Sequence, residues 1–201
     1  MRFEPFKCKT GVIAALPSAN VDTDVIMPKS FLKGIDRSGL AKGLFHNLRF
    51  DEVGARRPDF VLNQPPWDKA EFLVAGDNFG CGSSREHAAW GFIQYGIRAI
   101  IAPSFAGIFF DNCARNGLLA IEVGDPQVQQ LIEHAQTGEC LTIDLDAQKI
   151  KSPHFDISFE MNERRKNMLL NGLDTIGMTL ECRDEIQAFQ TQYLADRHWL
   201  A

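Results

Sequence analysis

The sequence predicts an α/β domain whose sheet is largely parallel. From residue 71 onward, short apolar runs alternate with segments whose apolar residues follow a helical period. Parallel strands need a long crossover connection, and a helix usually provides it. A length of 201 residues, with 45% hydrophobic and 23% charged residues, is typical of a globular protein of one domain. We therefore expect a single domain over residues 1–201.

The N-terminal third begins with a strand and then loses its regular pattern. The segment "TGVIAALPS" (10–18) predicts a strand that ends at its proline and serine. The next segment, "NVDTDVIMP" (20–28), predicts a turn leading into a second short strand, and "KSFLKGI" starts a helical pattern. Residues 34–70 contain scattered glycines and prolines without a regular period. Long irregular segments of compact domains are usually functional or mobile.

Three strand–helix units follow. The predicted strands are "EFLVAG" (71–76), "RAIIAPS" (98–104) and "LLAIEV" (118–123), and the predicted helices cover 83–95, 105–117 and 125–138. Asp125 stands at the capping position of the last helix, Pro126 in its first turn and Gly138 beyond its end.

The C-terminal part returns to strands and then to helices. The runs "ECLTIDL" and "FDISFE" predict two strands with a turn around Asp146–Lys149 between them, and "ERRKNMLLNG" predicts a helix. The tail "RDEIQAFQTQYLADRHWL" has helical spacing. Its apolar face is formed by Ile186, Phe189, Tyr193 and Leu194.

Charge and composition exclude several classes of protein. A formal net charge of −5 provides no general basic face for nucleic acid. No apolar run reaches the ~18–20 residues of a membrane span, and the first ten residues lack the hydrophobic segment of a signal peptide. We expect a cytoplasmic enzyme or enzyme subunit with neither a nucleic-acid nor a membrane partner.

The cysteines give no metal site of their own. There are five, widely separated and without a C-x-x-C pair, and the five histidines are equally dispersed. This spacing is poor for zinc or for an iron–sulfur cluster held by this chain alone. An odd number also argues against a disulfide framework, so we expect reduced thiols.

The segment "GDNFGCGSSREHA" (76–88) carries the strongest chemical signal. Ser83-x-x-Glu86 has the spacing of a capping box, which predicts a helix start. A cap needs neither Arg85 nor the glycines, whereas Gly80 and Gly82 allow a ligand close to the backbone. Free amides at a helix start, together with a guanidinium, suit a carboxylate or a phosphate.

Three known motifs do not match this segment. It lacks the third glycine of a dinucleotide fingerprint and the G-K-[ST] of a P-loop. It is also not G-x-S-x-G, and no histidine base can be assigned to a serine hydrolase.

A second polar segment lies at Asp22-Thr23-Asp24. Counted as a calcium loop from Asp22, it puts Met27 where glycine belongs and Lys33 where glutamate belongs, so it fails. Two interpretations stay open: a turn held by Asx-type side-chain bonds, or a polar turn placed beside the serine–arginine segment in one site.

Three segments together resemble a known family. "GDNFGCGSSREHA" resembles the signature of the aconitase-type swivelling domain, as found in small subunits of 3-isopropylmalate dehydratase. "NVDTDVIMPKSFLK" resembles its N-terminal motif, and "LLNGLDTIGMTL" (169–180) its C-terminal signature. The resemblance covers residues 5 to 190 and implies a three-layer β/β/α swivelling fold.

The resemblance also implies a reaction and a partner. Such a chain is the small subunit of a hydro-lyase heterodimer, active only with a large subunit that holds a 4Fe–4S cluster. The reaction converts 2-isopropylmalate, a small dicarboxylate, to 3-isopropylmalate by dehydration and rehydration through 2-isopropylmaleate, in leucine biosynthesis.

The same resemblance assigns roles to residues. Ser83 is the catalytic base that acts as an alkoxide, and Arg85 binds a substrate carboxylate. Ser84, Thr23 and Asp24 belong to the substrate-binding set. The loop after the aspartates lies near the variable end of the substrate, so Phe31 and Leu32 either line an isopropyl pocket or are ordinary core residues.

Two alternatives remain at this stage. Lys33 and Arg37 are available for a third carboxylate, which keeps a homoaconitase or another 2-alkylmalate dehydratase open. The alternative from another class is a non-catalytic swivelling module that only binds an anion.

Overall fold

The computed structural model describes residues 3–32, 39–82 and 85–200. Within these ranges the chain forms seven strands and eight α-helices. The strands are β1 (Cys8–Leu16), β2 (Phe72–Ala75), β3 (Ala99–Ala102), β4 (Leu119–Glu122), β5 (Cys140–Asp144), β6 (Lys149–Ser152) and β7 (Phe155–Ser158). The helices are α1 (Thr23–Ile26), α2 (His46–Arg49), α3 (His87–Tyr95), α4 (Gly107–Asn116), α5 (Asp125–Ala135), α6 (Glu163–Asn171), α7 (Thr175–Glu181) and α8 (Arg183–Ala195).

All seven strands form one mixed sheet in the order β4-β3-β2-β1-β5-β6-β7. The strands β1 to β4 are parallel, with Ile13 opposite Phe72. The other half is antiparallel, with Gly11 of β1 opposite Leu141 of β5. The prediction of a largely parallel sheet therefore holds for one half only, because short connections after β5 and β6 allow only antiparallel neighbours.

Each face of the sheet buries its own core. On β2, Leu73 and Ala75 belong to one hydrophobic cluster, and Phe72 and Val74 belong to the other. This alternation follows from the two-residue period of a strand. The helices α3 and α4 cover the first face, and α5 covers the second together with Leu169 of α6.

The predicted strand within 20–28 is wrong. Asp22 makes an isolated parallel bridge with Cys81, but the chain then turns into α1. The Asp22 side chain caps this short helix by accepting a hydrogen bond from the amide of Val25 at 2.8 Å. The local cap therefore prevails over the β-branched residues that suggested a strand.

The strand β6 is missing from the prediction, which has only a turn at 146–149. Its sequence is KIKS, in which Ile150 alone is fully buried. A single buried residue between two lysines leaves too short an apolar alternation to be recognised. The helix α7 is likewise absent from the predicted elements.

The predicted helix 83–95 begins later than expected. The helix α3 starts at His87, and Glu86 occupies its N-cap position without a side-chain capping bond. Ser83, the first residue of the predicted capping box, lies outside the described residues, and Arg85 precedes the helix. Similarly, Gly124 rather than Asp125 is the N-cap of α5.

Candidate active site

The carboxyl ends of the parallel strands bring the candidate segments together. We call residues 20–28 the aspartate turn and residues 76–88 the glycine-rich segment; they follow β1 and β2, which are parallel neighbours. Ligand sites of parallel α/β sheets lie at this edge. The interpretation that placed the two polar segments side by side thus agrees with the structure.

Backbone hydrogen bonds join the two segments. The amide of Gly80 donates to the Val21 carbonyl at 2.8 Å, and the amide of Thr23 donates to the Cys81 carbonyl at 2.8 Å. On the other side, the amide of Phe79 donates to the Ser104 carbonyl at 3.1 Å. The glycine-rich segment therefore continues the sheet beyond the end of β2 and is held on both sides.

Phe79 anchors this segment in the core. Its side chain is fully buried, and its ring meets those of Phe105 and Phe109 edge-on at 6.3 and 5.7 Å between centroids. Gly80 follows with φ +78°, and a Cβ there would collide with the Phe109 ring. Glycine at position 80 is thus required both by the backbone conformation and by this ring.

An ion-pair network links the two segments at the surface. The Nη1 of Arg85 donates to Oδ1 of Asp24 at 2.7 Å, and Nζ of Lys29 lies 3.2 Å from Oδ2. Lys29 and then Arg85 hold the pKa of Asp24 below its ordinary value, against an opposing effect of desolvation. The Asp24 carboxylate is therefore paired with two cations at the surface of the candidate site.

The accessibility of this network suits a ligand. The side chains of Arg85 and Asp24 are 33% and 43% exposed. The described hydrogen bond of Arg85 uses Nη1, so other N–H groups of the guanidinium can still meet a carboxylate. Arg85 is thus oriented by one contact and open to another.

The remaining predicted site residues have different environments. Thr23 is buried, with 3% of its surface exposed, inside the first turn of α1. Phe31 and Leu32 are half-buried and pack against the first core cluster. The Phe31 ring lies 4.8 Å from that of His46. Ser83, Ser84, Lys33 and Arg37 lie outside the described residues.

Lys29 is a member of the site that the sequence motifs did not indicate. Its separation from Asp24 is not a helical neighbour spacing, and α1 ends at Ile26 between them. Only the turn after α1 brings the two side chains together, so no sequence signal pointed to this contact.

No metal site or membrane span is found in the described part of the chain. Across residues 3–32, 39–82 and 85–200, no three His, Cys, Asp or Glu side chains come together as metal ligands. No helix in the same ranges combines the length and apolar character of a membrane span.

Comparison with known proteins identifies relatives along nearly the whole chain. Residues 3–126 match the family described as the aconitase C-terminal domain. The chain is 49% identical over 199 residues to the 3-isopropylmalate dehydratase small subunit of Brucella canis, covering 98% of this chain and 99% of the relative. It is 51% identical over 199 residues to the protein of the same description from Rhodospirillum centenum, covering 98% of each chain.

A solved structure agrees with the fold. The crystal structure of 3-isopropylmalate dehydratase from Methanocaldococcus jannaschii superposes with a TM-score of 0.65 at 30% identity. The match covers 91% of this chain and 99% of that one.

Proposed function

Because the chain belongs to the aconitase C-terminal domain family, among the small subunits of 3-isopropylmalate dehydratase, we propose that it forms one half of an active site completed by a large subunit. Its function is that of the small subunit of this hydro-lyase in leucine biosynthesis. The predicted fold class, an aconitase-like swivelling domain of α/β type, is confirmed. The Arg85–Asp24 contact between the two segments is the observation that carries the proposed site.

The substrate in this proposal is 2-isopropylmalate, whose carboxylates need cationic partners. Arg85 offers paired N–H groups in a planar fork, which matches the geometry of a carboxylate. Lys29 provides a second positive charge beside it, through its contact with Asp24. The Asp24 carboxylate keeps both cations at the site before the substrate arrives.

Ser83 is the proposed base that removes the proton next to a substrate carboxylate. A serine hydroxyl is too weak an acid to ionise unaided near neutral pH, so its anion needs hydrogen-bond donors and positive charge. Support comes from its position in the chain between Gly82, which has φ +95°, and Arg85. Ser84 is proposed to contact the substrate beside it.

The remaining residues are proposed to have different roles, because they differ in burial. Thr23 is buried, so we propose that it stabilises the aspartate turn. It would contact the substrate only after a change of conformation. Phe31 and Leu32 are half-buried, so one side of each packs on the core and the other is available to an alkyl group. We propose that they distinguish alkyl groups by ~1–3 kcal/mol per methylene.

The 4Fe–4S cluster is assigned to the large subunit. The described residues of this chain provide no set of ligands for the cluster. The proposed roles of Arg85 and Ser83 do not require a cluster bound to this chain. The proposed partner is therefore a cluster-bearing large subunit in a heterodimer. A cytoplasmic location is part of the same proposal and rests on the biosynthetic role.

Mixing experiments test this function. We expect no conversion of 2-isopropylmalate by the chain alone, conversion on addition of a cluster-loaded large subunit, and almost complete loss with Ser83→Ala. The matched control is Ser158→Ala on the exposed end of β7, which should keep full activity. If the wild-type mixture is no faster than the large subunit alone, the proposed function is wrong. If Ser83→Ala keeps more than a few per cent of the rate, only the assignment of the base fails.

A further inference from the structure

A cavity lies away from the proposed active site. It has a volume of about 430 Å³ and is formed by α4, α6 and the start of α7. Its lining includes Arg115, Arg164 and Arg165, with Asp111, Met168 and Thr175. None of Asp24, Lys29 and Arg85 lines this cavity, so it is separate from the candidate active site.

The charges in this cavity are unbalanced. Arg165 is paired with Asp111 at 2.5 Å, and its guanidinium lies over the Phe110 ring at 4.2 Å. The guanidinium groups of Arg115 and Arg164 have no ion-pair or hydrogen-bond partner among the residues that the structure describes. Two uncompensated positive charges therefore face one cavity, on a chain whose formal net charge is −5.

The position of two of these arginines lowers the intrinsic stability of helix α6. Arg164 and Arg165 follow Glu163 in the first turn of α6, where the partial charge of the helix is positive; this favours the carboxylate of Glu163 but not the two guanidinium groups. The Asn162 side chain caps the same end by accepting from the amide of Arg164 at 3.0 Å. An anion bound between the arginines would relieve the repulsion that this arrangement creates.

We propose that this cavity binds a small dianion, either a phosphate or a dicarboxylate. Arg115 and Arg164 supply the two charges, and the Thr175 hydroxyl is available as a further donor. Met168 is 4% exposed and gives the cavity an apolar floor, which suits a short carbon chain between two carboxylates. The volume lies within the usual range of small-molecule sites. This proposal does not rest on the proposed function.

Binding of simple dianions tests the proposal. Inorganic phosphate and malonate are titrated into the chain by calorimetry at constant ionic strength, with chloride as the monoanion reference. An Arg85→Gln background removes the candidate active site as a second place for a dicarboxylate. We expect saturable binding of at least one dianion in this background, at least tenfold weaker with Arg115→Gln and Arg164→Gln combined. The matched control is Arg183→Gln on α8, an exposed arginine outside the cavity, which should bind as before.

The alternatives are separated by the same measurements. Binding of phosphate without malonate, or the reverse, identifies the source of the dianion and supports the proposal. The proposal is overturned if neither dianion binds saturably, or if the Arg115→Gln, Arg164→Gln variant binds as tightly as the control. If the dianions fail but this variant loses affinity for the large subunit, the arginines bind an acidic surface of the partner and the small-ligand proposal is wrong. Both substituted side chains are exposed, so an unchanged circular dichroism spectrum is expected throughout.

Discussion

At the scale of single residues, Asp24 determines how the cations of the candidate site are presented. It accepts a hydrogen bond from Arg85 and pairs with Lys29, and it is exposed enough for solvent to weaken both contacts. Its main effect is therefore on orientation rather than on the free energy of unfolding. Removing its charge should release the Arg85 guanidinium and leave the fold intact.

The pH dependence of stability tests this pairing. Because the folded-state pKa of Asp24 is lowered, its contribution to stability is complete above its unfolded-state pKa and is lost as the pH falls through the folded-state value. We expect the difference in unfolding free energy between wild type and Asp24→Asn to be constant above about pH 5 and to shrink below about pH 4. Urea unfolding at a series of pH values measures it.

Asp59→Asn is the matched control for that series. Asp59 is exposed and has no ion-pair partner among the described residues, so its substitution should not reproduce the effect. The pairing with Lys29 and Arg85 would be contradicted if the difference in unfolding free energy between wild type and Asp24→Asn increased as the pH was lowered.

At the scale of elements, the glycine-rich segment depends on one close approach. Gly80 combines a positive φ with a position against the Phe109 ring. Gly54 also has a positive φ, of +83°, but no heavy atom lies within 4 Å of the Cβ that an alanine would add there. The two positions therefore separate the cost of backbone conformation from the cost of collision.

Substitution by alanine at these two glycines should give unequal losses of stability. Gly54→Ala is expected to cost about 1–2 kcal/mol for the left-handed conformation alone. Gly80→Ala adds the displacement of a buried ring and is expected to cost about 2–4 kcal/mol in total. Chemical denaturation measures both. Equal losses of unfolding free energy in the two variants would show that the Phe109 ring can move aside without destabilising the fold.

The elements also show what local sequence can predict. β2, β3 and β4 were predicted because they are apolar runs bounded by turn residues, and α6 and α8 because their periods are clear. The short helix α1 and strand β6 depend on a cap and on a single buried Ile150, which carry little pattern. Resemblance identified both candidate segments, but Lys29 joined the site only through the three-dimensional path of the turn after α1.

At the scale of the whole molecule, the C-terminal helix adds little to the core. No residue of α8 is buried, and Phe189 is 69% exposed on it. The sheet and both hydrophobic clusters are complete before Cys182. We therefore expect the described residues before Arg183 to provide most of the stability of the folded state.

Truncation after Cys182 tests that division. We expect it to change the unfolding free energy by less than about 1 kcal/mol, which corresponds to a shift in Tm of about 2–4 °C at most for a chain of this size. Calorimetry measures the shift. As a reference, Leu131→Ala removes a fully buried side chain of α5 and should cost about 2–5 kcal/mol. A truncated chain that unfolds as readily as Leu131→Ala would mean that α8 supports the core.

The central place of β1 in the sheet has a consequence for how the protein is made. The ribosome produces this strand first, yet one of its neighbours is β2 and the other is β5, at residues 140–144. A nascent chain that has not reached β5 exposes one edge of β1, with unpaired amides beside apolar side chains. Contacts so distant in sequence slow folding, because the connecting chain must first be ordered. During synthesis this open edge is available to other nascent chains, and chaperones that bind extended segments would protect it until the antiparallel half arrives.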